Sequence, residues 1–428
     1  MSMAGLSLEQ APPISVPFRF FLVAPLFLLL AALALLAAGP AALESRWSQP
    51  LLGITHLFTI GFMSMVMSGA MLQLLPVLAG AQVPKPHLTA WAIHLPLLSG
   101  ALLLCGGLYF STPVLVTLAI PLLACAFAVF LAIAIYSLAR APARNASTQA
   151  MLLALAALSL TVSLGLLLAA CINGMLNLSM QPLVALHVGW GLLGWTTLLV
   201  VGVAYQVVPM FQLTQPYPRN VARWLSGALF TLLSAWSCRL LLPEPFAGLL
   251  AFAAACGVAA CIATFAIITL RLQQKRRRKV PDITLQFWRT GLFSLLAAVL
   301  LWLAGQASAM LSNSTFYALA LGMLFIIGFA LSVIQGMLYK ITPFLVWFHL
   351  QGKLPPGKAP HMKNIITDRT ARWHWRIHLA SLIFCLASAM WPMPWIYVAG
   401  SALLLGGILL LANLCRAWNI YLRAVAKT

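Results

Sequence analysis

Apolar runs long enough to cross a lipid bilayer recur along this chain with little between them, and that property decides its solvent. A spanning helix needs about 20 predominantly apolar residues. Breaking the sequence at Pro, Gly and charge gives twelve such runs, near 18–39, 51–79, 88–109, 112–139, 150–174, 183–211, 222–242, 246–272, 288–310, 316–347, 376–391 and 394–418. In lipid each backbone N–H and C=O must be satisfied within the protein, so runs of this length are expected to be helices. With 63% of residues hydrophobic and 7% charged, an ordinary soluble enzyme is excluded. The expectation is an all-α, polytopic membrane bundle of about 12 transmembrane helices, forming a single membrane domain over residues 1–428. The first run, followed by so many others, is expected to be a retained anchor and not a cleaved signal.

Only five residues are acidic (Glu9, Glu44, Glu244, Asp282 and Asp368), against 25 Lys plus Arg, a net charge of +20. A charge at the bilayer centre costs roughly 2.5 kcal/mol or more, so these residues belong in the connections. No soluble stretch is long enough for a nucleic-acid-binding module, and the basic excess reads as a topology signal. Arg19, Lys85, Arg140, Arg144, Arg219, Arg223, the Arg271–Lys279 cluster, Arg289, the Lys353–Arg376 segment, Arg416, Arg423 and Lys427 fall on one side, and Arg46 and Arg239 alone on the other. Both termini are therefore expected in the cytoplasm of a bacterial-type inner membrane. The Lys275–Lys279 run serves that topology and is also able to attract anionic lipid. The eight cysteines lie mostly inside apolar runs without a CxxC pair, as small core residues do.

An internal repeat organises the runs. The second contains Gly61, Gly69, Gln73 and Pro76, the sixth Gly194, Gly202, Gln206 and Pro209, and the tenth Gly328, Gly336, Lys340 and Pro343. The spacing G-x7-G-x3-[QK]-x2-P is the same in all three, and the copies start 133 and 134 residues apart (61 to 194 to 328). That period spans four runs, so three pseudo-symmetric four-helix units are expected, approximately 18–139, 150–272 and 288–418. At about 100° per residue the four positions share one small-residue face for helix packing.

His56 and His187 sit six and five residues after Pro50 and Pro182. At 1.5 Å per residue both lie about 8 Å inside the outer boundary. In the repeat frame they point roughly 160° apart, which favours separate sites over one heme held between them. Neutral imidazole ligates heme iron, copper or zinc; the alternative is a histidine that glues helices by bonding a neighbouring carbonyl or hydroxyl. Arg46 and Arg239, beside Glu44 and Glu244, either pair with those acids or stand ready for carboxylates such as heme propionates. Met63, Met67 and Met71 form a stripe with His56, which suits core packing better than a Cu(I) route. His94 lies within the third run, a third of the way from the opposite face, and His87 is interfacial. His349, His361, His374 and His378 cluster between runs ten and eleven, where the i, i+4 pair His374 and His378 is expected on a solvated face. Lys340 is expected to snorkel to the interface.

Several segments carry a family likeness: Pro17-Phe18-Arg19-Phe20-Phe21-Leu22, His56-Leu57-Phe58-Thr59-Ile60-Gly61-Phe62, Gly69 to Pro76, His187 to Trp195 and Gly202 to Met210. With twelve spans, threefold repetition and those histidines, the chain resembles subunit I of the heme-copper oxidases and nitric oxide reductases. It is most similar to the NnrS family, heme- and copper-containing membrane proteins linked to nitric oxide metabolism. The resemblance implies a low-spin heme ligand at His56 and a copper ligand at His187, with heme b and copper as cofactors and nitric oxide or a redox protein as partner. The chain departs from that pattern in its seventh run, which has no histidine, and in its tenth, whose repeat core has none. A complete oxygen-reducing centre is therefore not expected, and the absence of carboxylates from the membrane core argues against proton pumping. A heme-binding, nitric-oxide-handling or electron-transfer protein leads; a permease, or an accessory or assembly subunit without cofactor, is the alternative. Parallel threefold repetition counts against the permease, since transporter repeats usually number two.

Overall fold

The computed structural model describes residues 10–142, 144–277 and 282–426. Among them all regular structure is helical, and the chain runs through twelve long rods. These are α1 (Ser15–Ala38), α2 (Gln49–Ala79), α3 (Pro86–Tyr109), α4 (Pro113–Ala139), α5 (Ala146–Ile172), α6 (Met180–Gln212), α7 (Arg219–Cys238), α8 (Phe246–Gln274), α9 (Ile283–Ala307), α10 (Thr315–Gln351), α11 (Asp368–Met390) and α12 (Pro392–Val425). Eleven are long and apolar enough to cross a membrane. The exception is α11, which starts eight residues before the expected run (368 against 376) and so takes Asp368, Arg369, Arg372 and Arg376 into its first half. Arg278, Lys279 and Lys427, part of the topology argument, lie outside the described residues.

Capping explains where several rods begin. Asn145 and Thr148 form a reciprocal capping box on α5. Asp282 accepts the Thr284 N–H at 2.9 Å at the start of α9, and Thr367 accepts that of Thr370 at the start of α11.

Two compact units divide the chain. Among the described residues one comprises 10–11, 73–85, 116–142 and 144–277, and the other 12–72, 86–115 and 282–426.

The repeat glycines show what their spacing is for. A side chain on Gly61 or Gly69 would collide with Phe27 or Phe20 of α1, one on Gly194 or Gly202 with Ala157 or Ala150 of α5, and one on Gly328 or Gly336 with Ser294 or Phe287 of α9. Each pair therefore lets its rod press against the rod that precedes it by one, and in each case the distance to the nearest atom is below 3 Å.

Regular α-helix does not persist through α2, α6 and α10. Each contains a π-helical stretch of eight residues, Leu57–Ser64, Gly189–Thr196 and Leu324–Leu331. The first glycine of each repeat lies inside it. The stretches start 132 and 135 residues apart (57 to 189 to 324). A wider turn shifts every following residue around the rod relative to a constant 100° per residue, yet both glycines of each repeat still face the same neighbouring rod.

Candidate functional site

His56 ends the α-helical opening turns of α2, immediately before the π-helical stretch, and His187 stands two residues before the corresponding stretch of α6. Both are half-buried. His56 belongs to one compact unit and His187 to the other. The Nδ1–H of His56 donates to the Leu52 carbonyl of its own helix at 2.8 Å. That of His187 donates to the Thr161 carbonyl of α5 at 2.9 Å. A carbonyl only accepts, so in the neutral ring the proton is on Nδ1 and the lone pair on Nε2. This is how ligand histidines are commonly oriented, and equally how a histidine ties helices together.

Around His187 the fold is tight on one side. Its ring lies against Gly165 of α5, where an added side chain would come within 2.9 Å of Cε1. Two residues on, Gly189 makes room for the Trp236 ring of α7, and the Arg239 guanidinium covers that ring at 4.0 Å. The Trp190 indole N–H reaches the Ser237 hydroxyl at 3.0 Å, fixing α7 to α6 at the same level. Arg46 is exposed and lies 4.6 Å over Trp47. The ion pairs found among the described residues are Lys340–Asp282 and Lys363–Asp368, so neither arginine is tied to its acidic neighbour. The Glu244 carboxylate instead accepts the Gly248 N–H at the start of α8.

The remaining expectations divide. His87 and His361 are exposed, and Met63, Met67 and Met71 are buried as packing residues are. Lys340 is not simply snorkelled to water: its ammonium meets the Asp282 carboxylate at 3.0 Å. Burial pushes the Asp282 carboxyl up, but the Lys340 charge and hydrogen bonds from Lys340 and Thr284 outweigh it and hold the group below its ordinary value.

The largest departure concerns His374 and His378. They are not on a solvated face; they are 1% and 3% exposed. His374 Nδ1 pairs with the Tyr339 hydroxyl at 2.8 Å, and the Asn413 amide donates to the same hydroxyl at 3.1 Å. The amide nitrogen only donates, which leaves the phenolic proton for His374. His378 Nε2 pairs with the Ser332 hydroxyl at 2.7 Å, one residue past the π-helical stretch of α10. Phe287 of α9 lies against His374, His378 and Tyr339. Four rods thus meet on a sealed polar cluster. The signal for it was in the sequence: Ala371, His374, His378, Ser381, Cys385 and Ser388, all buried, follow a helical period on one stripe of α11.

Among the described residues there is no group of three or more His, Cys, Asp or Glu placed to hold a metal ion. No family model matches the chain, and no curated protein matches its sequence.

Proposed function

We propose that this chain is a heme-binding integral membrane protein of oxidase-like plan, serving nitric oxide handling or electron transfer and lacking a complete oxygen-reducing centre. Its architecture is three four-helix units, α1–α4, α5–α8 and α9–α12. The near-equal spacing of the three π-helical stretches supports this, as do the glycine pairs that press α2, α6 and α10 onto α1, α5 and α9. π-helical turns inside α-helices occur frequently at functional sites.

The observation that carries the proposal is that His56 and His187, each at the entry to such a stretch, have Nδ1 committed to a carbonyl and so carry the ligand lone pair on Nε2. One imidazole from each suits one axial position of a heme iron. It falls short of the several ligands a copper site requires, so copper is the lesser occupant. Arg239, which lies over Trp236 where that ring packs on Gly189, and Arg46, in the connection before α2, are the cations for propionates. A bound heme would supply an iron able to take a diatomic ligand. The orienting carbonyls of Leu52 and Thr161 would keep the imidazoles basic and fixed.

An absorption spectrum with metal analysis of detergent-purified protein from heme-replete cells tests this. The expected result is a Soret band that shifts with nitric oxide and loses about half its intensity in His56→Ala and in His187→Ala. Colourless, metal-free protein overturns it. That outcome favours the second reading, a cofactor-free accessory subunit or permease, for which the bond from His187 to α5 is simply helix glue.

A further inference from the structure

The Pro17–Leu22 segment at the start of α1 carries part of the family likeness but no heme-holding role in the reading above, and it holds a half-buried cation. The Arg19 guanidinium lies over the Trp91 ring of α3, 4.0 Å from its centre. Its Nε makes one long bond back to the Ser15 carbonyl at 3.4 Å, while Nη1 is buried with no hydrogen-bond partner. Neither ion pair among the described residues includes it. Three residues along α3 from Trp91, His94 is 5% exposed. Phe20 meets its ring edge-on at 5.1 Å and Trp91 does so at 6.1 Å. The ring lies close to the Arg19 backbone, but neither of its nitrogens has a partner at good hydrogen-bond distance and angle. By contrast His56, His187, His349, His374 and His378 each have a bonded ring nitrogen.

A cation and an imidazole set among aromatic rings, with Arg19 Nη1 and both His94 ring nitrogens buried and poorly satisfied by the protein, is an expensive arrangement unless a ligand completes it. The chemistry of that ligand follows from the donors. Arginine has no acceptor, and a neutral imidazole offers one N–H, so the complement is a negatively charged acceptor. A guanidinium fork resting over an indole offers its donors in a fixed plane, which favours planar oxyanions over spherical ions.

We infer that Arg19 and His94 form a binding site for a small oxyanion of carboxylate-like geometry, between the first turns of α1 and α3. One oxygen takes the Arg19 Nη1–H and another the His94 N–H, and Trp91 holds the guanidinium plane. The site is independent of any heme. A lipid phosphate oxygen offers the same acceptor as a free oxyanion, and the composition of the surrounding bilayer separates the two sources.

The experiment is a titration of the full chain in nanodiscs with 13C-formate, read as saturable NMR line broadening. One set of discs contains phosphatidylcholine alone and the other adds phosphatidylglycerol. Saturable binding is expected in the zwitterionic discs. Arg19→Gln is expected to weaken it by about tenfold or more, the loss of one charge-assisted hydrogen bond. His94→Phe, which keeps the ring packing and removes both nitrogens, is expected to weaken it several-fold. Arg19→Lys, which keeps the charge without the planar fork, should also bind several-fold more weakly and stands in if Arg19→Gln does not fold. Equal affinity in both discs supports a free oxyanion, and competition by phosphatidylglycerol that vanishes in Arg19→Gln or Arg19→Lys supports a lipid phosphate at the same site. No saturable binding in either disc overturns the inference. So does affinity unchanged in both Arg19→Lys and His94→Phe, or binding abolished by the combined His56→Ala and His187→Ala substitutions.

Discussion

Replacing Tyr339 by Phe removes one oxygen from the cluster between α9, α10, α11 and α12 and leaves its shape intact. That oxygen bonds His374 Nδ1 at 2.8 Å and accepts the Asn413 amide at 3.1 Å, and all three residues are buried. A buried polar atom left unsatisfied costs about 1–3 kcal/mol, so two such atoms make the expected loss about 2–6 kcal/mol. The aromatic contact of residue 339 with Phe287 persists in the variant, so the loss is of hydrogen bonds alone. Tyr339→Phe combined with Asn413→Leu removes both partners of one bond and should recover part of the cost, because an apolar pair leaves no orphan there. Equilibrium unfolding in mixed detergent micelles, analysed as a double-mutant cycle, measures both quantities. If Tyr339→Phe lies within about 0.5 kcal/mol of the parent, the range of an ordinary surface substitution, the reasoning about this cluster is refuted.

Three further outcomes follow from other parts of the molecule. Ser332→Ala orphans only the Nε2 of His378, so it should destabilise by about 1–3 kcal/mol, less than Tyr339→Phe in the same assay. Gly61→Ala places a methyl 2.3 Å from the Phe27 ring and should cost about 1–3 kcal/mol, with recovery when Phe27→Ala makes room on α1. The Asp282 carboxyl is held below its ordinary value of 3.8, so its pairing with Lys340 stabilises the fold above that pH and the contribution disappears as pH falls through the lowered value. Lys340→Met should flatten that part of a Tm-against-pH curve; both side chains are about a third exposed or less, 28% and 31%, so the effect should stay within about 1 kcal/mol.

Much of the fold could be read from one physical constraint, the need for about twenty apolar residues to cross lipid. That constraint locates eleven rods, with ends displaced by a few residues in most, and only part of α11. It misplaces the start of α11 because Arg369, Arg372 and Arg376 on one face mask a buried stripe on the other, and an average over the run mixes the two. The same averaging hid His374 and His378, whose partners Tyr339 and Ser332 lie 35 and 46 residues away in sequence. The π-helical stretches were not legible either, since no residue type signals a wider turn and the evenly spaced glycines look alike in both geometries. His56 and His187 were identifiable as polar groups in apolar runs, but the carbonyls that orient them emerge only from the folded backbone.

The three π-helical stretches also bear on motion. A rod wound with a surplus residue can expel it as a migrating defect, and the portion beyond then advances by about one residue's rise, 1.5 Å, and swivels by about 100°. In α2 and α6 the portion nearest such a collar carries an imidazole. A shift of that kind would re-aim the ring while the second glycine of each repeat, Gly69 or Gly202, kept its contact farther along the rod. Such a shift would give the opening turns of two rods a discrete second setting.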